Sequence, residues 1–514
     1  MHRFVKLGER GKKVFLYKEK DLKKRERQVL WGDFLNVVEE DSGDGWLKIA
    51  WGTSSGQPVH YFARADETSM DRPLEIIFLD VGQGDAAVLI TPERGSDERI
   101  LLVDAGIGDN LDRFLAWRFK YKTRALPIHA AIITHPDIDH YGGFRPVFEN
   151  PLIEIAHLHH NGLAERAGAN RLGPKAKDPA NKKTYHSDIK VSDADMRGFY
   201  GNLGPFGKMK YPALFNAAIN NHRIADLSMI STEHGTKEGG KTWLAEFAPA
   251  DNRGFTIEIL GPVVEPDAAG NARLRRLGSD AKTKNGHSVL LRLSFGGFTI
   301  FFGGDLNKNA EKFLLTHYAG LKKWPNSAEK RAAMVRSASA RIRSDLMKVC
   351  HHGAADVTDE FLQAVDPAAF VISSGDAEGY VHPRPDLLGR LGRNGRGFAP
   401  LILSTELQRS TREKEDEKLG LAVLAEAEKL ANLAGNKSET PARRRKRLDK
   451  IIKNTNVLMR RNVEVYGTIH VKTDGDRMIA AFRIESNSKK KLWHYYEYRQ
   501  DANGTLVALH EVGP

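Results

Sequence analysis

Short apolar blocks broken by Gly, Asp and Asn run through the middle of the chain. Residues 74–80, 86–91 and 99–103 are rich in Ile, Leu and Val and too short for helices, so each predicts a buried strand. Over 110–121 the apolar positions recur at helical spacing, and that amphipathic helix leads into a further strand ending at Ile133. Strand patterns resume near 153, 255–260, 289–295, 298–302, 346–349 and 369–374, with helices expected at 308–318, 361–365 and 385–391. Strands interleaved with helices predict an α/β protein. Within this region 163–251 is long, polar and without clean periodicity, which predicts an insertion that covers or flanks a cleft.

The two ends read differently. In 1–66, apolar runs at 28–33 and 45–51 flank the turn-prone Asp41-Ser42-Gly43-Asp44-Gly45, predicting a small β module with Trp31 and Trp46 in its core. The pattern resembles bacterial SH3-like domains, which implies a protein or peptide partner, a cell-wall fragment, or a packing module for the chain's own enzyme domain. Residues 66–73 read as a linker. At the other end, 411–434 predicts a charged docking helix with Leu419, Val423, Ala427 and Leu430 on one face. The run Arg443-Arg444-Arg445-Lys446-Arg447 either grips phosphates or forms a solvated helix face. Alternation at 463–471 and 477–484 around Asp474-Gly475 predicts a closing hairpin. The expected units are therefore 1–66, 74–405, a basic helical segment at 406–461 and a β extension at 462–514.

A chain of 514 residues is too long for one hydrophobic core, which supports this division. No apolar run reaches membrane-spanning length, so no membrane insertion is expected. Residues 1–10 are charged and lack a secretory apolar core, and the single cysteine, Cys350, leaves no internal disulfide to form. The expected compartment is the cytoplasm. A formal net charge of +12 favours polyanionic partners such as nucleic acids or nucleotides.

The densest chemistry lies in His135-Pro136-Asp137-Ile138-Asp139-His140, directly behind the strand ending at Ile133 and ahead of Gly142-Gly143. Imidazole nitrogens and carboxylate oxygens crowded at a strand end suit a divalent ion such as zinc. Asp305, after Gly303-Gly304, and His351-His352, after the strand at 346–349, end other strands in the same way. Asp80 and Asp85 either orient ligand histidines or cap their own turn.

The stretch His135 to His140 resembles the second motif of the metallo-β-lactamase superfamily, in a His-x-Asp-x-Asp-His form. Together with Phe78-Leu79-Asp80-Val81-Gly82-Gln83-Gly84-Asp85-Ala86 and Lys348-Val349-Cys350-His351-His352-Gly353, it is similar to the soluble hydrolase domain of ComEC-type competence proteins. The resemblance implies an αββα sandwich and two divalent ions, zinc or manganese. His135 and Asp137 would bind one ion with a histidine from His351, His352 or His287. Asp139 and His140 would bind the other, with Asp305 bridging. Tyr380-Val381-His382-Pro383 resembles the family's last motif, in which His382 would either pass a proton to a leaving group or hold a phosphoryl oxygen, beside Asp139 in the catalytic machinery, the competing reading being a helix-entry histidine without such a role. The expected activity is hydrolysis by a hydroxide shared between two ions, with a phosphodiester as substrate. Hydrolysis of a small ester, thioester or lactone is the first alternative, and a non-catalytic sensor or scaffold stabilised by metal is the second.

Overall fold

Strands Leu74–Phe78, Ala87–Ile90 and Ile100–Val103 are buried at every position, so each must be covered on both faces. In the computed structural model, which describes residues 2–41, 44–54, 57–121, 124–375, 381–397, 399–405, 417–432, 440–465, 468–484, 488–501 and 506–512, they lie inside a four-layer sandwich.

The first sheet has ten strands. Its order runs Ile224–Met229, Ile153–His160, Leu126–Ile132, Ile100–Val103, Ala87–Ile90, Leu74–Phe78 and then Ile469–Thr473, Arg477–Arg483, Trp493–Gln500 and Leu506–Val512. The second has eight, from Thr236–Glu238 and Lys241–Trp243 through Phe255–Gly261, Leu290–Phe295 and Phe298–Phe302 to Leu346–Lys348, Ala369–Ile372 and Leu401–Ser404. Between the sheets lies a dry layer that includes Ile76, Phe78, Leu291, Phe298 and Ile300. Helices Asn110–Phe119, Phe144–Glu149, Asp193–Tyr200 and Lys210–Asn220 cover the first sheet through Phe114, Phe148, Tyr200 and Phe215. Helices Lys308–Tyr318, Ala328–Ile342, Asp359–Val365 and Pro385–Asn394 cover the second through Leu315, Met334, Phe361 and Leu391.

Part of each sheet is parallel, Ile100–Val103 with Leu126–Ile132 in one and Phe298–Phe302 with Leu346–Lys348 and Ala369–Ile372 in the other. Parallel neighbours send their carboxyl ends to the same edge, where α/β proteins bind their ligands. The loops after Val103, Ile132, Phe302, Lys348 and Ile372 therefore share one rim.

Three expectations change. The segment 163–251 is not a polar cover alone: Ile224–Met229 joins the first sheet, the Thr236–Glu238 and Lys241–Trp243 hairpin joins the second, and two of the covering helices come from it. The C-terminal strands do not form an extension of their own, because Ile469–Thr473 pairs antiparallel with Leu74–Phe78 and continues the first sheet. At the other terminus, seven antiparallel strands form a third sheet around Val5, Leu16, Leu35 and Leu47. Trp46 packs edge-on against Tyr17 in this unit, whereas Trp31 leaves its core and covers Ile479, Ala481 and Tyr495 of the C-terminal strands. Lys472 Nζ donates to the Trp31 carbonyl at 2.7 Å, tying the two ends of the chain together.

The helix Glu417–Asn432 packs beside Pro441–Val465, where Arg447 and Lys450 meet Glu426 Oε2 and Oε1 at 3.1 and 2.8 Å. Arg443, Arg444, Arg445 and Lys446 are exposed there, with Arg445 3.3 Å from Asp449. Residues 411–416 and 433–434 of the expected docking helix, and Tyr380, lie outside the described residues.

Ile469 is fully buried in the layer between the sheets. Ile469→Ala is expected to cost about 2–5 kcal/mol in denaturant unfolding of the whole sandwich; a detached C-terminal unit would leave the main transition where it was.

Candidate metal centre

Backbone contacts draw the rim loops together. Asp85 N donates to the Asp139 carbonyl at 3.2 Å, and Ser373 Oγ donates to the Gly84 carbonyl at 3.0 Å. Gly84 has φ +103°, and any Cβ there would collide with the Asp139 carbonyl. This close approach explains the glycine in Gly82-Gln83-Gly84-Asp85.

The side chains then converge. His140 Nε2 and His352 Nε2 are 3.2 Å apart, and Asp305 places Oδ1 3.2 Å from the first and Oδ2 3.3 Å from the second. Asp139 Oδ2 lies 3.5 Å from His352 Nε2. Around the same Asp305, His135 Nε2 is 3.8 Å from Oδ2 and 3.5 Å from Asp137 Oδ2, and His351 Nε2 is 3.9 Å from Asp305 Oδ2.

The far side of each ring is held. His140 Nδ1 donates to Asp104 Oδ2 at 2.7 Å, and Asp104 is itself fixed by the Thr134 amide and hydroxyl at 2.8 and 2.7 Å. His352 Nδ1 lies 3.2 Å from both the Ser373 carbonyl and Asp85 Oδ1. Thr134 Oγ1 is 3.1 Å and Ser288 Oγ 3.4 Å from His135 Nδ1. With Nδ1–H directed outward, each neutral ring turns its Nε2 lone pair inward. Lone pairs 3.2 Å apart repel unless a proton or a cation lies between them.

The remaining polar atoms point the same way. His135 Nε2 and Asp305 Oδ1 are buried without a hydrogen-bond partner, and the ligand atoms of Asp85, His140, Asp305 and His352 lie within 4.8 Å of one another. Nitrogen and carboxylate donors at this spacing fit divalent ions. The donor set present therefore suits the metals that the motif implies.

The electrostatics match this donor set. Burial works against a charged His140 and His352, yet the carboxylate of Asp305, with Asp104 beside one ring and Asp85 beside the other, holds both well above the usual imidazole range. Burial would raise Asp305, but His140, His352 and His351 keep it well below the usual carboxylate range. Beneath the cluster, Lys348 Nζ ion-pairs with Asp85 and donates to the Gly304 carbonyl at 3.3 Å. Burial opposes the ionised Asp85 carboxyl, and Lys348 followed by His352 overcomes this and brings it down to about 2.

The sequence-derived residues fall into three groups. His135, Asp137, Asp139, His140, Asp305, His351 and His352 come together, and Asp85 reaches His352 as an orienting carboxylate. His382 stands at the edge, its ring centroid 6.0 Å from that of His351. Two candidates face elsewhere. Asp80 Oδ1 accepts from the Gly82 amide at 3.1 Å, the turn-capping role. His287 turns away, its Nε2 2.6 Å from the Arg275 carbonyl, and burial lowers it to about 4. Cys350 packs into the helical core over the second sheet. His159 and His160, at the end of the strand Ile153–His160, are both buried, and burial lowers them to about 4 and about 3.

Asp104, Thr134, Ser288 and Lys348 were given no site role by sequence, although Lys348 opens the motif Lys348-Val349-Cys350-His351-His352-Gly353. Asp104 ends a strand on the same rim, as Asp305 does, and that shared position was the available signal.

A sandwich of two sheets between helices, with histidines and carboxylates gathered at one rim, defines an αββα protein with a candidate metal centre. The chain belongs to the metallo-beta-lactamase superfamily, whose family model matches residues 80–375. It is 30% identical over 116 residues to ComE operon protein 3 of Bacillus subtilis (strain 168) and 30% identical over 125 residues to competence protein ComA of Neisseria gonorrhoeae. These stretches cover 22% and 24% of this chain but span only 12% and 15% of those two proteins. Among solved structures, Tm1679, a metal-dependent hydrolase of the beta-lactamase superfamily, aligns with a TM-score of 0.30 at 11% identity, covering 64% of this chain and 95% of that one. No helix among the described residues is long and apolar enough to cross a membrane.

Asp104 touches His140 from outside the cluster. Asp104→Ala is expected to weaken divalent-metal binding by about 10–100-fold in a titration while the protein stays folded; unchanged affinity would remove Asp104 from the centre.

Proposed function

We propose that the protein is a metal-dependent phosphodiesterase or nuclease. The observation that carries the reading is the Asp305 carboxylate facing the Nε2 atoms of His140 and His352, one oxygen toward each. Divalent ions held there, zinc or manganese, lower the proton affinity of water and offset charge building on a substrate oxygen. Asp104 and Asp85 keep the two imidazoles aimed inward. Asp139, partly open to solvent, turns its carboxylate toward His352 and would help hold an ion and orient its water. His382, beside His351 at the rim, supplies a proton to the leaving oxygen.

Three features favour a phosphodiester: the similarity to competence proteins, the net charge of +12, and the exposed Arg443, Arg444, Arg445 and Lys446 on one helix, with Arg447 half-buried beside them. The N-terminal sheet, whose sequence resembles SH3-like modules, serves in this reading as a packing module for the chain's own hydrolase domain, a role supported by Trp31 on the C-terminal strands.

Purified protein is expected to cleave at least one of DNA, RNA or a cyclic dinucleotide in the presence of manganese or zinc, and Asp305→Ala to lower that rate by roughly a hundredfold or more. Turnover restricted to small esters or lactones would transfer the assignment to that substrate class. Bound metal without any turnover would leave a scaffold.

A further inference from the structure

We propose that Lys284 makes the metal centre unequal: by holding one oxygen of Asp137, it leaves a tight cation site where His140, His352 and Asp305 meet and a weak, exchangeable one at His135, Asp137 and Asp305. The proposal rests on the cluster being a metal centre but not on which bond is cut.

The two halves share Asp305 and differ in what surrounds it. In the first, the atoms that converge are buried, and the nitrogens of His140 and His352 lie 3.2 and 3.3 Å from the two oxygens of Asp305. Its additional carboxylate, Asp139, keeps Oδ2 directed at His352 Nε2. The lysine near this half, Lys348, pairs with Asp85, which orients a ring from behind, so it takes no charge from Asp139.

The second half is looser and already carries a cation. His135 Nε2 stands 3.5 Å from Asp137 Oδ2 and 3.8 Å from Asp305 Oδ2. Lys284 Nζ ion-pairs with Asp137 Oδ1, donates to the Pro136 carbonyl at 3.2 Å and meets Glu165 Oε1 at 3.1 Å. Three acceptors thus fix the ammonium. It projects from the helix Asp280–Gly286, whose first turn is capped by Ser279, so it sits on a regular element. A positive charge on one carboxylate oxygen weakens donation from the other and repels a divalent ion beside it. Glu165, supplied by the 163–251 segment, competes with Asp137 for the same ammonium and so tempers its effect.

Manganese alone, titrated into the full-length protein and followed by the electron paramagnetic resonance of free ion and by elemental analysis after dialysis, tests the proposal. The wild type is expected to retain one ion per chain and to take a second about tenfold or more weaker; Lys284→Gln strengthens the second about tenfold and leaves the first unchanged. Glu165→Gln moves the second in the opposite direction, because Lys284 is then left wholly to Asp137. Thermal unfolding without metal reports whether each variant is folded, and the glutamate variant decides should the lysine variant fail to fold. Two ions of equal affinity in the wild type, or a second phase indifferent to both substitutions, would overturn the asymmetry. Absence of any manganese binding would overturn the metal centre itself, which is a separate result.

Discussion

A buried carboxylate facing two buried imidazoles is the constraint on which the rest of this structure depends. Asp305 cannot lose water and keep its charge unless positive charge faces it, and a divalent ion held with the Nε2 atoms of His140 and His352, which come from two different sheets, would meet that need. His140 arrives on the short helix Ile138–Tyr141 that follows Leu126–Ile132 of the first sheet, whereas Asp305 and His352 follow Phe298–Phe302 and Leu346–Lys348 of the second. The centre therefore exists only while the sheets keep their relative position. Phe78, Phe298, Ile300 and Ile469 hold that position from within the dry layer.

Around this contact the polar groups form a supporting shell that also crosses between sheets. Lys348 on the second sheet pairs with Asp85 on the first, and Asp85 reaches back to His352. Asp104 joins the His140 ring to Thr134. Each link fixes a ring or neutralises a charge that would be costly alone. The C-terminal strands add to the same framework by continuing the sheet that carries His140.

Much of the centre was legible because ligand-bearing residues cluster at strand ends. His135 to His140 needed only local spacing, and Asp305 and His351-His352 stood behind recognisable apolar runs. Asp104 was hidden because its partner lies 36 residues away, and nothing local marks one Asp at a strand end as pairing with a distant ring. His287 was misplaced for a geometric reason. Neighbours in a chain entering a strand point to opposite sides, so Ser288 faces Asp305 and His135 while His287 faces Arg275. Within 163–251 the helical signal of Tyr211, Leu214, Phe215 and Ala218 was present but broken by Pro212. The terminal hairpin was visible from its alternation, but Val463, Glu464 and Val465 close the helix Pro441–Val465 and the first strand opens only at Ile469, and its pairing with Leu74–Phe78 depends on a strand at the far end of the domain.

Anomalous diffraction at the manganese edge, from crystals of the full chain grown with that ion, addresses the central claim most directly. The strongest peak should fall between His140, His352 and Asp305. A strongest peak elsewhere, or none at this rim with the side chains as described, would contradict it.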